Sequence, residues 1–253
     1  MNKYLYLCIL FLALGCSTQK VSHTVAPPNI IIVFIDDMGW SDVGFNGGEH
    51  VTTPRLDQMA KEGLVLTDFY VAQPVCSASR SALLTGCYPN RIGISGALGP
   101  HAKHGINTDE VTLAEICKER GYATAIFGKG HIGHLDPFLP TNHGFDTFVG
   151  IPYSNDMWPM HPEAKKGTYP PLPYYNDDKI VYSQPDQGQF TKDFTNLTID
   201  FIKEHKNEPF FVYVPHPMVH VPLHVSKEWD GATGLGLYAD VVAEIDDGVG
   251  RII

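Results

Sequence analysis

Apolar and polar positions along the chain fall into blocks typical of a fold that alternates strands and helices. Residues 30–35 form an unbroken apolar run of mostly β-branched side chains, and residues 122–127 and 210–214 form two further apolar runs. A continuous run of this length is typical of a strand buried on both faces, as in a parallel sheet covered by helices. The pattern therefore predicts three buried strands.

Helices are predicted between these strands. Thr53 and Pro54 are typical of a helix start and Gly63 of a helix end, which predicts an inner face formed by Leu56, Met59 and Ala60. The other segments with helical signals are residues 77–85, 108–121, 192–205 and 238–253. Because strands and helices alternate, we expect an α/β fold, a three-layer sandwich with a mainly parallel central sheet.

Two segments depart from this alternation. Residues 151–189 are rich in proline, tyrosine and aspartate, and we expect them to form a long irregular excursion over the surface. The helix predicted over 238–253 stops without a capping residue or a polar tail. We therefore expect the chain to hold only the N-terminal part of its catalytic domain.

The N-terminus predicts export. An apolar run over residues 4–14 is too short for a membrane span and ends before Cys16, which is typical of a lipoprotein-type signal peptide over 1–16. A plain secretory signal is the alternative. Residues 17–28 are a predicted linker and 29–253 the catalytic domain. We expect a periplasmic or outer-membrane lipoprotein of a bacterium, which touches the membrane only through a lipid anchor.

Charge and cysteine content narrow the function. The net charge of -10 argues against a nucleic-acid binder, because such a protein needs a basic field, whereas a small anionic substrate needs only a local cluster of cations. Outside the leader the cysteines are Cys76, Cys87 and Cys117, which is too few for a disulfide framework. For Cys87 and Cys117 we expect the role of small apolar filler.

Polar residues follow each predicted strand, at the edge where open α/β sheets bind ligands. They are Asp36 and Asp37 after the first strand, Lys129 and His131 after the second, and His216 and His220 after the third. An isolated Asp-Asp pair is more often a solvated turn, but the buried run before this pair favours a site for a hard divalent cation. The remaining histidines that we expect in surface loops are His101, His104, His134, His143 and His161.

The segment from Cys76 to Gly86 predicts a short helix with a nucleophile at its start. Cys76 lies at the predicted N-terminus, where free N–H groups and the helix dipole favour negative charge. Arg80 follows one turn later and is close enough to reach back over Cys76. A cation beside a cysteine at a helix start is typical of an activated nucleophile that also holds an anion.

These residues carry a resemblance to a known family. The pattern Cys-x-Ala-Ser-Arg at 76–80, followed by four residues and Thr-Gly, is similar to the signature of the sulfatases in the alkaline phosphatase superfamily. Other stretches that resemble the arylsulfatase branch are residues 29–40, 128–133, 150–156 and 217–223. The resemblance extends over residues 29–253 in family order and implies an alkaline phosphatase-like fold and sulfate ester hydrolysis.

The resemblance also implies a cofactor and a modified residue. Cys76 would be oxidised to formylglycine by a formylglycine-generating or radical maturation enzyme, and its hydrated aldehyde would attack sulfur. Asp36, Asp37 and modified Cys76 would ligate one calcium ion. In this family a second pair of calcium ligands comes later in the chain, and calcium prefers six to eight oxygen ligands. The resemblance therefore implies weak metal binding and little turnover for these 253 residues alone.

Roles for the remaining site residues come from the same resemblance. Arg80 would stabilise the hydrated aldehyde, Lys129 would contact it and the sulfate, and His131 would accept the proton that triggers sulfate release. Ser154 and His220 would touch the sulfate, with His220 as donor to the leaving oxygen. The substrate would be a sulfated small molecule or glycan. The alternatives are a phosphonate monoester or phosphodiester hydrolase of the same superfamily and a non-catalytic binder of sulfated glycans.

Overall fold

The computed structural model of the protein describes residues 26–253. The predicted signal peptide over 1–16 and most of the predicted linker over 17–28 lie outside this range. Among the described residues, no helix combines the length and the apolar character that a bilayer crossing requires.

A six-stranded mixed sheet forms the centre of the fold. Its strands are β1 (Ile30–Phe34), β2 (Ala123–Lys129), β3 (Thr147–Ile151), β4 (Pro173–Asn176), β5 (Lys179–Ser183) and β6 (Phe210–Pro215). The order across the sheet is β1-β6-β2-β3-β4-β5. Strands β1, β6, β2 and β3 run parallel, whereas β4 and β5 are antiparallel additions at one edge. The prediction of a mainly parallel sheet is confirmed.

Helices cover both faces of the sheet. They are α1 (Pro54–Glu62), α2 (Cys76–Thr85), α3 (Leu113–Glu119), α4 (Phe190–Glu204) and α5 (Leu237–Ile252). Successive side chains of a strand point to opposite faces. Accordingly Val212 of β6 belongs to the apolar cluster that includes residues of α4 and α5, and its neighbour Phe211 to the cluster that includes residues of α2 and α3. This arrangement is the predicted three-layer sandwich.

Helix α3 begins five residues later than the sequence predicted. Thr112 and Glu115 form a reciprocal capping box, in which Thr112 Oγ1 accepts from the Glu115 amide at 3.2 Å and Glu115 Oε2 accepts from the Thr112 amide at 2.7 Å. This pair satisfies two free amides at the helix start. The prediction of a start near Thr108 was therefore wrong, because the stronger cap lies further along the chain.

Helix α1 is capped by a distant residue rather than by Thr53. The Thr53 hydroxyl donates to Asp57 at 3.1 Å and does not cap the helix. Instead Asp246 of α5 accepts hydrogen bonds from the amides of Arg55 at 3.1 Å and Leu56 at 2.8 Å. The predicted inner face is only partly correct, because Leu56 packs against the core whereas Met59 is 50% exposed.

Residues 151–189 form the irregular surface excursion that we predicted only in part, because residues 152–172 contain no helix or strand whereas the residues after them do. They include the hairpin of β4 and β5, and Leu172 and Tyr174 are buried in the core. Asp177 at the hairpin turn has a φ of 57°. Its side chain accepts from the Phe148 amide of β3 at 3.0 Å, which fixes the hairpin to the sheet. Strand β4 is buried up to Tyr175, whereas β5 is exposed along its whole length.

Two glycines let the strand ends approach each other at the carboxyl edge. A Cβ atom at Gly150 of β3 would overlap the carbonyl oxygen of Gly128, and one at Gly128 of β2 would overlap that of Pro215 in β6. Their φ values of 155° and 142° are also unfavourable for other residues. This close approach brings Lys129 next to the end of β6.

Candidate active site

Residues from β1, β2, α2 and the loop after β3 meet at this edge around the carboxylate of Asp36. Lys129 Nζ donates to Asp36 Oδ2, and Arg80 Nη2 lies 3.3 Å from the same oxygen. Lys129 Nζ also donates to the Ser154 hydroxyl at 2.9 Å. Four predicted site residues from separate parts of the chain are thus in direct contact.

The site carries an excess of positive charge in a nearly dry environment. The side chains of Arg80 and Lys129 are 0% exposed, and Asp36 is 5% exposed. Burial alone would raise the pKa of Asp36, but the adjacent Arg80 and Lys129 hold that pKa below its usual value. One carboxylate beside two buried cations leaves a net positive charge, which favours the binding of an anion.

Arg80 is held rigidly from several sides. Its Nη1 donates to the carbonyl oxygen of Lys129 at 3.0 Å, and its guanidinium carbon lies 5.2 Å from the ring centroid of Phe34. A cation over an aromatic ring at this distance is attracted by the ring. Tyr213 is buried near Arg80, and burial raises the pKa of its phenol to about 12. Sequence reasoning missed Phe34 and Tyr213, because both belong to apolar strands.

Cys76 begins α2 and is half-buried and free. The neighbouring Cys76 raises the pKa of His220, although burial opposes this. His220 Nε2 also lies 3.8 Å from Asp37 Oδ2, and the side chain of Asp37 is 64% exposed. Three side chains that are at least partly exposed therefore lie beside the buried Asp36: Cys76, His220 and Asp37.

His131 is neutral and has one nitrogen available as an acceptor. Burial, followed by the charges of Lys129 and Arg80, lowers its pKa well below the ordinary value. His131 Nε2 contacts the carbonyl oxygen of Leu98 at 2.8 Å, so Nε2 carries the proton. Within residues 26–253, Nδ1 is buried without a hydrogen-bond partner. A neutral ring in this state can take up a proton at Nδ1.

Two other histidines lie deeper than a surface position. His143 is fully buried, which contradicts its predicted place in a surface loop, and burial lowers its pKa. It follows Pro140 in a short 3₁₀ turn at the edge of the core.

His216 is also fully buried at the end of β6, and burial lowers its pKa to about 4. Its backbone amide donates to the Phe34 carbonyl at 2.8 Å, so it supports the pairing of β6 with β1. The exposed positions of His101 and His104 agree with the prediction.

The described residues do not provide a complete metal site. Within residues 26–253, no group of three or more histidine, cysteine, aspartate and glutamate side chains is arranged to hold a metal ion. Asp36 and Asp37 offer two carboxylates, and Asp36 Oδ2 already accepts from Lys129. Calcium takes six to eight oxygen ligands, so these two residues do not suffice.

The described residues thus form a mainly parallel α/β sheet with a cysteine at a helix start and two buried cations at its carboxyl edge. The sulfatase family model matches residues 28–253. The chain belongs to the sulfatase family.

Relatives and solved structures agree with this assignment. The chain is 38% identical over 270 residues to N-acetylgalactosamine-6-sulfatase of Sus scrofa, covering 96% of this chain and 49% of the relative. It is 37% identical over 246 residues to arylsulfatase A of Bos taurus, covering 90% and 48%. The crystal structure of Ps i-CgsB in complex with k-i-k-neocarrahexaose matches with a TM-score of 0.76 and 31% identity, covering 89% of this chain and 54% of that one. The chain thus spans about half the length of the curated relatives it matches.

Proposed function

We propose that this protein takes part in the hydrolysis of sulfate esters. The observation that carries the proposal is the position of Cys76 at the start of α2, where it lines one pocket with Asp36 and Asp37. Asp36 in turn contacts the buried cations Arg80 and Lys129. A buried pair of cations can bind the sulfate oxygens and stabilise the charge that develops on them during displacement.

The nucleophile of the proposal is a modified Cys76. We infer that a formylglycine-generating or radical maturation enzyme oxidises it to formylglycine, whose hydrated aldehyde supplies an oxygen nucleophile and a hydroxyl that allows sulfate to leave. The half-buried position of Cys76 at the site's opening is compatible with this role. A plain thiol would not release sulfate in the same way.

The other side chains are assigned by where they lie. Arg80 and Lys129 hold the charged groups, and the Ser154 hydroxyl, which accepts from Lys129, contacts the sulfate. His220 lies beside Asp37 and, with a raised pKa, carries the proton that the leaving oxygen needs. Within residues 26–253 the Nδ1 of neutral His131 has no hydrogen-bond partner, so it is the atom that would accept the proton released when sulfate leaves. A sulfate bound at Lys129 and Arg80 would offset the positive charges that lower the pKa of His131.

The proposal includes residues that would bind a calcium ion. Asp36 and Asp37 would be two carboxylate ligands and modified Cys76 a third. Residues 26–253 do not complete the ligand set for this ion. We expect these residues alone to bind calcium weakly and to turn over little.

The proposal extends to the substrate class and to the cellular location of the protein. A name such as N-acetylgalactosamine-6-sulfatase for one relative, and the neocarrahexaose in the crystal structure of another, favour a sulfated glycan over a simple aryl sulfate. The N-terminal signal favours an exported, lipid-anchored protein of the periplasm or outer membrane.

Mass spectrometry of the peptide containing Cys76 tests the central step. After co-expression with a maturation enzyme, we expect the mass change of cysteine to formylglycine, and no change at Cys87, which lies beyond the other end of the same helix. An unmodified thiol at Cys76 would contradict the proposal and favour a non-catalytic glycan binder.

Turnover is then measured on the whole protein. Nitrophenyl sulfate should be cleaved in preference to a nitrophenyl phosphodiester, and Cys76→Ala should abolish this turnover whereas Cys87→Ala should preserve it. Preference for the phosphodiester would instead identify a phosphonate or phosphodiester hydrolase.

A further inference from the structure

Two loops of the candidate active site follow strands that are not neighbours in the sheet. Ser154 lies in the loop after β3, where its hydroxyl accepts from Lys129 at 2.9 Å. His220 lies in the loop after β6, where its Nε2 is 3.8 Å from Asp37 Oδ2. Strand β2 separates β3 from β6. Strand pairing alone therefore does not fix the spacing between the Ser154 loop and the His220 loop.

Two buried side-chain amides join these loops to a third segment. Gln187 is 3% exposed and begins a short 3₁₀ turn directly before α4. Its Nε2 donates to the backbone carbonyl of Asn155 at 3.1 Å, and its Oε1 accepts from Asn155 Nδ2 at 3.1 Å. Asn155 Nδ2 also lies 3.4 Å from the carbonyl oxygen of Pro222. We call Gln187 and Asn155 the amide pair.

The amide pair contacts both loops next to their site residues. Asn155 directly follows Ser154, and both side chains are buried. Pro222 lies two residues after His220. A buried donor or acceptor that loses its partner is costly, so the buried amides favour the one arrangement in which their hydrogen bonds are made. The pair therefore holds the two loops at a defined separation.

The turn that carries Gln187 is itself fixed in place. Asp186 Oδ1 accepts from the Gly188 amide at 3.0 Å, which closes the turn. A Cβ atom at Gly188 would lie 2.9 Å from the carbonyl oxygen of Val225, so the turn packs closely against the segment after His220. Gln187 thus approaches the two loops from a rigid support.

We propose that Gln187 is a positioning residue, which sets the spacing of the Ser154 and His220 loops through Asn155. The inference rests on the proposed function, in which Ser154 contacts the sulfate and His220 protonates the leaving oxygen. Gln187 bonds directly to the neighbour of Ser154, whereas the amide pair reaches the His220 loop only by the contact of 3.4 Å. Loss of the pair should therefore weaken sulfate binding more than it slows turnover.

Gln187→Met tests the proposal, because methionine is unbranched and flexible but lacks the amide donor and acceptor. The whole protein is matured at Cys76, and the dissociation constant of inorganic sulfate is measured by titration calorimetry. KM and kcat are measured with nitrophenyl sulfate. We expect the dissociation constant and KM to rise about tenfold, as for the loss of one hydrogen bond, and kcat to change less than about threefold.

Two further variants accompany Gln187→Met. Gln189→Met makes the same replacement in the same turn, at a half-buried side chain that does not cap α4, and should change the sulfate dissociation constant less than about twofold. Asn155→Ala removes the Asn155 side chain but keeps the Gln187 bond to the Asn155 carbonyl, so we expect an intermediate increase. Asn155→Ala also supplies the test if Gln187→Met does not fold.

A purely structural role for Gln187 has a different signature. It would lower the melting temperature and leave the sulfate dissociation constant and KM of the folded enzyme unchanged. That result, or an equal increase in Gln187→Met and Gln189→Met, would overturn the positioning role. Absence of nitrophenyl sulfate turnover in the wild-type protein would contradict the proposed function instead, and the sulfate dissociation constants would still decide the role of Gln187.

Discussion

Arg80 Nη1 donates a hydrogen bond to the carbonyl oxygen of Lys129 at 3.0 Å. This bond joins helix α2 to strand β2 at the site, so the start of the helix and the end of the strand are held at a fixed separation. Because the same two residues are also the cations beside Asp36, one contact determines both the local structure and the charge of the site.

Removing the Arg80 side chain should destabilise the fold. Arg80→Ala leaves the Lys129 carbonyl without its donor and Asp36 with a single cation, and a broken buried ion pair costs about 3 kcal/mol. The free energy of unfolding in urea should fall by about this amount. Arg80→Lys keeps the charge but loses the fork of donors, so it should recover only part of the loss. A change of less than about 0.5 kcal/mol in Arg80→Ala, the ordinary range for surface substitutions, would contradict this prediction.

Alanine at Gly150 should prevent normal folding. Its Cβ atom would overlap the Gly128 carbonyl, and the backbone φ of 155° disfavours any side chain. We expect loss of soluble protein, or a large drop in melting temperature followed by circular dichroism.

Gly130→Ala is the matched control for this substitution. A Cβ atom there has its nearest neighbour, Pro140, at 3.4 Å, at the limit of ordinary van der Waals contact. Its melting temperature should stay within about 3 °C of the wild-type value. An equal drop in melting temperature for Gly150→Ala and Gly130→Ala would contradict the close approach of the strand ends at Gly150.

Asp246→Ala should weaken the contact between the first and last helices. It removes the acceptor for the Arg55 and Leu56 amides, and the loss of a helix cap costs about 1–2 kcal/mol. Urea unfolding measures the change. Asp247→Ala, one residue further along α5, removes a carboxylate that does not cap α1 and should cost less than half as much.

His216 should make the protein sensitive to mild acid. Its folded pKa of about 4 lies below the unfolded value, so the unfolded state takes up a proton first as the pH falls below about 6.5. Stability is thus lost as the pH falls, by about 2 kcal/mol from this residue between pH 7 and pH 5. Denaturant unfolding at the two pH values should show a smaller difference in His216→Gln than in wild type. His104→Gln, at an exposed position, should retain the wild-type difference.

The sequence predicts the parallel strands β1, β2 and β6 and the convergence of the polar residues that follow them, because both depend on local patterns. It does not predict β3 or the hairpin of β4 and β5. Unbroken apolar runs mark β1 and β6, and the polar residues directly after them reach the same sheet edge. The roles of Cys76 and His131 in catalysis remain predictions.

Features that depend on distant partners were not predicted from the sequence. Asp246 caps α1 from another helix, and Phe34 and Tyr213 support Arg80 from apolar strands. His143 is buried by tertiary packing that its local sequence does not show. In each case the residue type is ordinary for its own element, and only the packing between elements gives it a second role.

The position of β1 has a consequence for synthesis on the ribosome. Within residues 26–253 its sole partner strand is β6, and the bond between Asn29 and the Phe210 amide joins residues 181 positions apart. Strand β1 therefore cannot pair with β6 until residues 210–215 have been translated, and its apolar side chains stay without this partner until then. Closing so long a loop is slow, which makes this nascent segment a natural client for chaperones.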